Sequence, residues 1–135
     1  MKPSPLNEGE RWRNQAMADL QTVEALIAAK RYDTACFIAQ QSAEKAIKGF
    51  LYARGEEMVL GHSVMKLLDL AGEYETGFRD LKSEVKNLDQ YYIEARYPNG
   101  LPDSYPAEFY EAKDAGWAHS AARRVLETVE THWPG

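Results

Sequence analysis

One segment constrains this chain more than any other. Between Tyr32 and Ala53, the residues Ala35, Ala39, Ser42, Ala46, Gly49 and Ala53 recur at steps of three and four. That spacing stacks them along one ridge of an α-helix. Side chains this small let a neighbouring helix approach closely, with Phe37, Ile47, Phe50 and Leu51 filling the flanks. A helix built this way belongs at the centre of a packed bundle.

The rest of the chain supplies partners for it. A first helix, about Gly9 to Lys30, carries Trp12, Ala16, Leu20, Val23 and Ile27 on one face. It follows a flexible lead over residues 1–8, which hold two prolines. "RGEEMVLGHS" interrupts the helical pattern with two glycines, and Ser63 is placed to cap a third helix over Val64 to Glu75. A fourth, Phe78 to Arg96, aligns Phe78, Leu81, Val85, Leu88, Tyr92 and Ala95. "YPNGLPDSYP" is the strongest breaker, and a last helix runs from Tyr105 or Pro106 to His132. No run alternates as a strand does. The expected architecture is therefore all-α: an up-and-down antiparallel bundle of four main helices plus a shorter one, a single domain over residues 9–135.

Composition narrows the function. At 135 residues, with 44% hydrophobic and 27% charged residues, the chain can bury a core. A net charge of −5 disfavours a broad grip on nucleic acid while leaving room for a local basic pocket. No apolar run reaches membrane-spanning length and the first residues lack a signal-peptide core, so the chain reads as cytoplasmic, with no membrane contact. Cys36, the single cysteine, lies among apolar residues and reads as an inert core thiol. No metal-ligand spacing, phosphate loop or nucleophile elbow is present, so no metal, cofactor or catalytic residue is assigned.

What remains is a polar stripe on the second helix: Gln40, Gln41, Glu44, Lys45 and Lys48. Gln41 with Lys45 and Glu44 with Lys48 are i,i+4 pairs of the kind that support any solvated helix. On a central helix with little free surface, the same groups should instead face a cleft or a partner. His62 either caps the third helix or donates to a phosphate. Arg96 is favoured at a helix C-terminus by the dipole, and Tyr97 is free to stack on a base or on Pro98. Lys45, Lys48, Arg96 and Tyr97 together would offer phosphate contacts and a stacking platform.

"YDTACFIAQQSAEKAIKGFLYARGE", then "GHSVMKLLDLA" and "LDQYYIEARYP", resemble the HEPN (higher eukaryotes and prokaryotes nucleotide-binding) domain family. The shared positions are Asp19–Leu20, Tyr32, Gln40–Gln41, Glu44–Lys45, Lys48, His62 and Arg96–Pro98. The resemblance implies an all-α bundle, often a homodimer, commonly paired with a nucleotidyltransferase of the minimal MNT type in a toxin–antitoxin-like module. It also raises metal-independent ribonuclease activity, which in the family uses an Arg followed by a His after four to six residues. No arginine here has a histidine at that spacing; Arg54 and His62 are separated by seven residues. The expected function is a nucleotide- or partner-binding module, with Gln41, Glu44, Lys45, Lys48, His62, Arg96 and Tyr97 as its site and a nucleotide or RNA end as ligand. The alternatives are a ribonuclease with a non-standard Arg/His site and an adaptor without ligand.

Overall fold

The computed structural model describes residues 3–135. Helix α1 (Pro5–Ala28) begins four residues before the expected start, because Ser4 and Pro5 form a complete helix opening. Ser4 Oγ accepts from Asn7 N at 3.1 Å, and the fixed φ of Pro5 suits the first helical position. Much of the expected lead is thus the first turn of a helix; Met1 and Lys2 lie outside the described residues.

α1 turns back into α2 (Tyr32–Ala53) through Lys30, which sits at φ 61° and closes the turn with Arg31 N donating to Leu26 O at 2.9 Å. The small ridge of α2 is buried along its length, except that Ala53 is half-exposed. Its Ser42 hydroxyl donates to the carbonyl of Ala16 at 2.7 Å. At Gly9 and Gly49 the two helices nearly touch: a Cβ on Gly9 would lie 2.5 Å from the Gly49 carbonyl oxygen. α2 is the hub, packed by α1 on one side, by α8 (Ala112–Thr131) on another, and by α3 (Val64–Gly72) across its middle.

The bundle is all-α, but its fourth member is not one rod. The chain from Gly77 to Glu94 is a train of short pieces: α4 (Gly77–Asp80), α5 (Lys82–Val85), a 3₁₀ stretch (Lys86–Gln90) and α6 (Tyr91–Glu94). Phe78, Leu81, Val85 and Leu88 face the core as expected. Beyond Leu88 the register slips. A 3₁₀ helix has three residues per turn, so Tyr91 rather than Tyr92 follows Leu88 inward. Tyr92 is left half-buried at the surface, which corrects its expected core position.

The last helix is also divided. Tyr110, at ψ 138°, separates α7 (Pro106–Phe109) from α8. Glu111 and Asp114 form a capping box that restarts the helix, with Glu111 N donating to Asp114 Oδ2 at 2.9 Å. Tyr110 turns inward against Tyr91. Among the described residues, no helix is long and apolar enough to cross a membrane.

Candidate functional site

Glu44 is the node of the polar stripe. It is 4% exposed, and four side chains converge on its carboxylate. Lys48 Nζ lies 3.1 Å away, one turn along α2. Gln40 Nε2 and Gln41 Nε2 each donate from 3.3 Å. His62 Nδ1, from the loop before α3, lies 3.2 and 3.3 Å from the two carboxylate oxygens. A carboxylate accepts at several lone pairs, so a buried one is satisfied by such a set and would be costly without it.

The end of the loop that carries His62 is fastened from two sides. Gln40, fully buried, donates to the His62 carbonyl at 2.9 Å. Asp89 accepts from Ser63 Oγ at 2.8 Å, Val64 N at 2.6 Å and Met65 N at 3.2 Å, which closes the opening turn of α3. Ser63 Oγ also accepts from Lys66 N at 3.2 Å, the cap its position implied.

Beyond His62 the site becomes aromatic. Its ring packs on Tyr92 with centroids 4.4 Å apart, the contact made available by the slipped register of α6. Arg96 lies over the same ring at 4.7 Å, over Phe37 at 4.3 Å and over Tyr97 at 5.3 Å. Its Nε donates to the Tyr92 carbonyl at 2.6 Å. Among the described residues it makes no ion pair, so the guanidinium is oriented by three rings and one carbonyl with no carboxylate beside it. Cations so placed gain from the ring quadrupoles and keep their remaining donors for an anion.

A chain of contacts therefore runs from buried Glu44 outward to His62, Tyr92, Arg96 and Tyr97, and Gln41 joins it at Glu44. Two lysines are engaged elsewhere. Lys48 is 5% exposed and holds Glu44, with its ammonium 5.7 Å over the Trp12 ring. Lys45 does not pair with Gln41; it crosses to Asp19 of α1 at 2.7 Å, an oxygen pair that Gln15 completes from 2.9 Å. Lys48 thus supports the site from within, while Lys45 is tied to α1 and lies outside it, which corrects its expected place there. Gln40, Asp89, Phe37 and Tyr92 belong to it as well. Gln40 was visible in the stripe; Asp89 carried no local signal because its partners are far away in sequence, and Tyr92 was expected in the core.

The remaining histidines are structural. His119 Nε2 lies 3.0 Å from Glu24, and the His132 ring packs on Phe78. Cys36 is fully buried, and burial pushes its thiol up to about 12, helped by the charges of Asp114 and Asp33. Among the described residues no three His, Cys, Asp or Glu side chains gather as a metal-ligand set.

Known proteins agree with this architecture. The chain is 33% identical to an archaeal HEPN homologue, ST0689, whose crystal structure superposes with a TM-score of 0.77 over 99% of this chain and 100% of that one. TT1696 from Thermus thermophilus gives 37% identity and a TM-score of 0.87, covering 93% of this chain and 98% of the other. A Methanocaldococcus jannaschii protein named "Putative toxin MJ1304" is 24% identical over 124 residues, 86% of this chain and 82% of its own length. The family model described as "HEPN domain" matches residues 9–132. With its bundle and nearly its whole length accounted for in this way, the chain belongs to the HEPN domain family.

Proposed function

We propose that this HEPN-family protein is a binding module that takes a nucleotide or RNA end at the His62–Arg96 surface. We propose further that it acts as a homodimer in a toxin–antitoxin-like pair with an MNT nucleotidyltransferase in the cytoplasm. One observation carries the nucleotide reading: the Arg96 guanidinium is held over Phe37, Tyr92 and Tyr97 with no carboxylate to neutralise it. An arginine oriented but unpaired is suited to a phosphate, and Tyr97, half exposed, offers a ring on which a base can stack. The paired-module reading draws on the resemblance and on the toxin name of the Methanocaldococcus relative.

Calorimetric titration with AMP, ATP and GTP tests the binding reading. Binding by at least one, weakened about tenfold or more by Arg96→Ala, is expected. Silence across all three would leave an adaptor without ligand.

A second reading follows from a separate contact. His62 and Arg96 rest against the same Tyr92 ring, which brings an acid–base group and a phosphate-binding group together without the usual sequence spacing. Such a pair could serve a metal-independent ribonuclease. RNA cleavage in the presence of a chelator, abolished by both Arg96→Ala and His62→Ala, would establish it; intact RNA would exclude it.

A further inference from the structure

The outer face of α1 is poor in charge for a chain in which 27% of residues are charged. Between Asn14 and Ala29 its acids are Asp19 and Glu24, and it has no base. Asp19 is buried and held by Lys45, while Glu24 lies 3.0 Å from His119 of α8. Asn14, Ala18, Gln21, Ala25 and Ala28 are all exposed, at steps of four, three, four and three. That alternation aligns them in one seam of the kind a second helix packs along. Met17, 41% exposed, lies beside it. The core of a protein–protein interface is marked by depletion of charge, whereas a helix face meant for water usually carries it.

Met17 joins this seam to a groove of about 440 Å³ between α1 and α8. Met17, Leu20, Leu126 and Val129 line the groove, together with two arginines, Arg13 and Arg123, and two glutamates, Glu127 and Glu130. Those four charges sum to zero, while the whole chain carries −5. Like net charge keeps copies of a protein apart, so a neutral face is where two copies can meet at least cost. Two of the four charges are not spent within the chain. Arg13 Nη1 lies 3.5 Å from Glu130, with its guanidinium 4.0 Å over the Trp133 ring. Arg123 is exposed and makes no ion pair among the described residues, and Glu127 has only Arg124, at 3.9 Å. Arg123 and Glu127 stand one turn apart on the same face of α8. A twofold axis makes every contact reciprocal. Two copies laid antiparallel along α8 therefore set each Arg123 against the other copy's Glu127, and the pair forms twice.

From this self-complementary pattern we infer that the groove between α1 and α8, with the uncharged seam beside it, is the face on which a second copy of this chain docks, and that reciprocal Arg123–Glu127 pairs set the register. This rests on the homodimer reading above and assigns its interface. None of His62, Tyr92, Arg96 and Tyr97 lines the groove, so docking there is separable from nucleotide binding.

Sedimentation equilibrium on the whole protein tests it, with circular dichroism to confirm that each variant keeps its helices. The wild type should be a dimer. Arg123→Glu and Glu127→Arg, both at exposed positions, should each weaken it about tenfold or more, since either reversal brings like charges together twice. Mixing the two variants in equal amounts should restore the dimer, because each copy then meets opposite charges at both positions. Ala18→Glu adds a charge to the seam without touching α8 and should weaken the dimer independently. A dimer untouched by Arg123→Glu and Ala18→Glu alike would overturn the assigned face and leave the homodimer reading in place. Weakening that mixing does not repair would overturn the Arg123–Glu127 register. A monomeric wild type would overturn both the face and the homodimer reading, leaving the groove to a different protein.

Discussion

Glu44 and Lys48 show how much a single buried pair can determine. Each is nearly inaccessible, so removing one partner leaves a charge in a low-dielectric setting with little water to take its place. Glu44→Leu should therefore cost about 3–5 kcal/mol, since it strands the Lys48 ammonium. Lys48→Met should cost less, because Glu44 keeps His62, Gln40 and Gln41 as donors. The double variant Glu44→Leu/Lys48→Met should recover most of the loss. Urea unfolding of the three variants checks this; additive losses would show that the two charges do not depend on each other. The i,i+4 pairing of Glu44 with Lys48 was legible in the sequence. Its burial was not, nor was the third partner, because His62 arrives from 18 residues away through a loop whose path periodicity does not describe. Lys45 teaches the same lesson: its acid is Asp19, on a different helix.

At the scale of the element, the close crossing of α1 and α2 governs packing. A Cβ on Gly9 would meet the Gly49 carbonyl oxygen at 2.5 Å and Ala53 Cβ at 2.7 Å, mostly backbone and short atoms that cannot rotate away. Overpacking of this kind costs about 1–3 kcal/mol, against a gain near 1 kcal/mol from replacing a helical glycine. Gly9→Ala should thus lower the denaturation midpoint. Gly116→Ala is its control: Gly116 lies on the exposed face of α8 with nothing within 4 Å of an added Cβ, so it should add up to about 1 kcal/mol to the unfolding free energy and raise the midpoint. The same sign for both would contradict a crossing set by glycine. The ridge of small residues made α2 legible to the residue, Tyr32–Ala53. The chain from Gly77 to Glu94 was legible only in part. Phe78, Leu81, Val85 and Leu88 keep the spacing of an α-helix, and nothing in that spacing announces the 3₁₀ stretch Lys86–Gln90 that sends Tyr91 rather than Tyr92 inward. Packing decided it, and the outward Tyr92 became the ring between His62 and Arg96. The break at Tyr110 likewise had a signal, the Glu111–Asp114 capping box, inside what reads as a single last helix from Tyr105 or Pro106 to His132.

For the molecule as a whole, folding keeps the Cys36 thiol and the Tyr91 and Tyr110 hydroxyls beside α2 protonated to higher pH. Burial raises the Cys36 thiol from 9.0 to about 12 and the Tyr110 hydroxyl from 10.0 to about 12, and raises Tyr91 as well. A group whose acidity is suppressed by folding holds its proton more tightly in the folded state. The stability it contributes is present below its unfolded pKa and is lost as pH climbs through the window from 9.0 to about 12. Each such buried group then removes up to about 1.4 kcal/mol per pH unit. The denaturation midpoint should fall steeply from about pH 9 to about pH 11, and Cys36 should resist thiol reagents until the protein unfolds; a flat profile, or a thiol that reacts in the native state, would contradict this core. The same central placement of α2 buries most of its polar stripe and brings Glu44 beneath His62, Tyr92 and Arg96. A separate groove of about 420 Å³ lies near the start of α1, lined by Pro5, Glu8, Trp12, Tyr52, Glu56 and Glu57, with acidic side chains poorly suited to a phosphate. Mapping the amide and side-chain shifts of the labelled protein during titration with AMP distinguishes the two faces. Changes centred on His62, Tyr92, Arg96 and Tyr97 are expected; changes centred on Trp12 and Tyr52, or none at saturating AMP, would contradict nucleotide binding at the His62–Arg96 face.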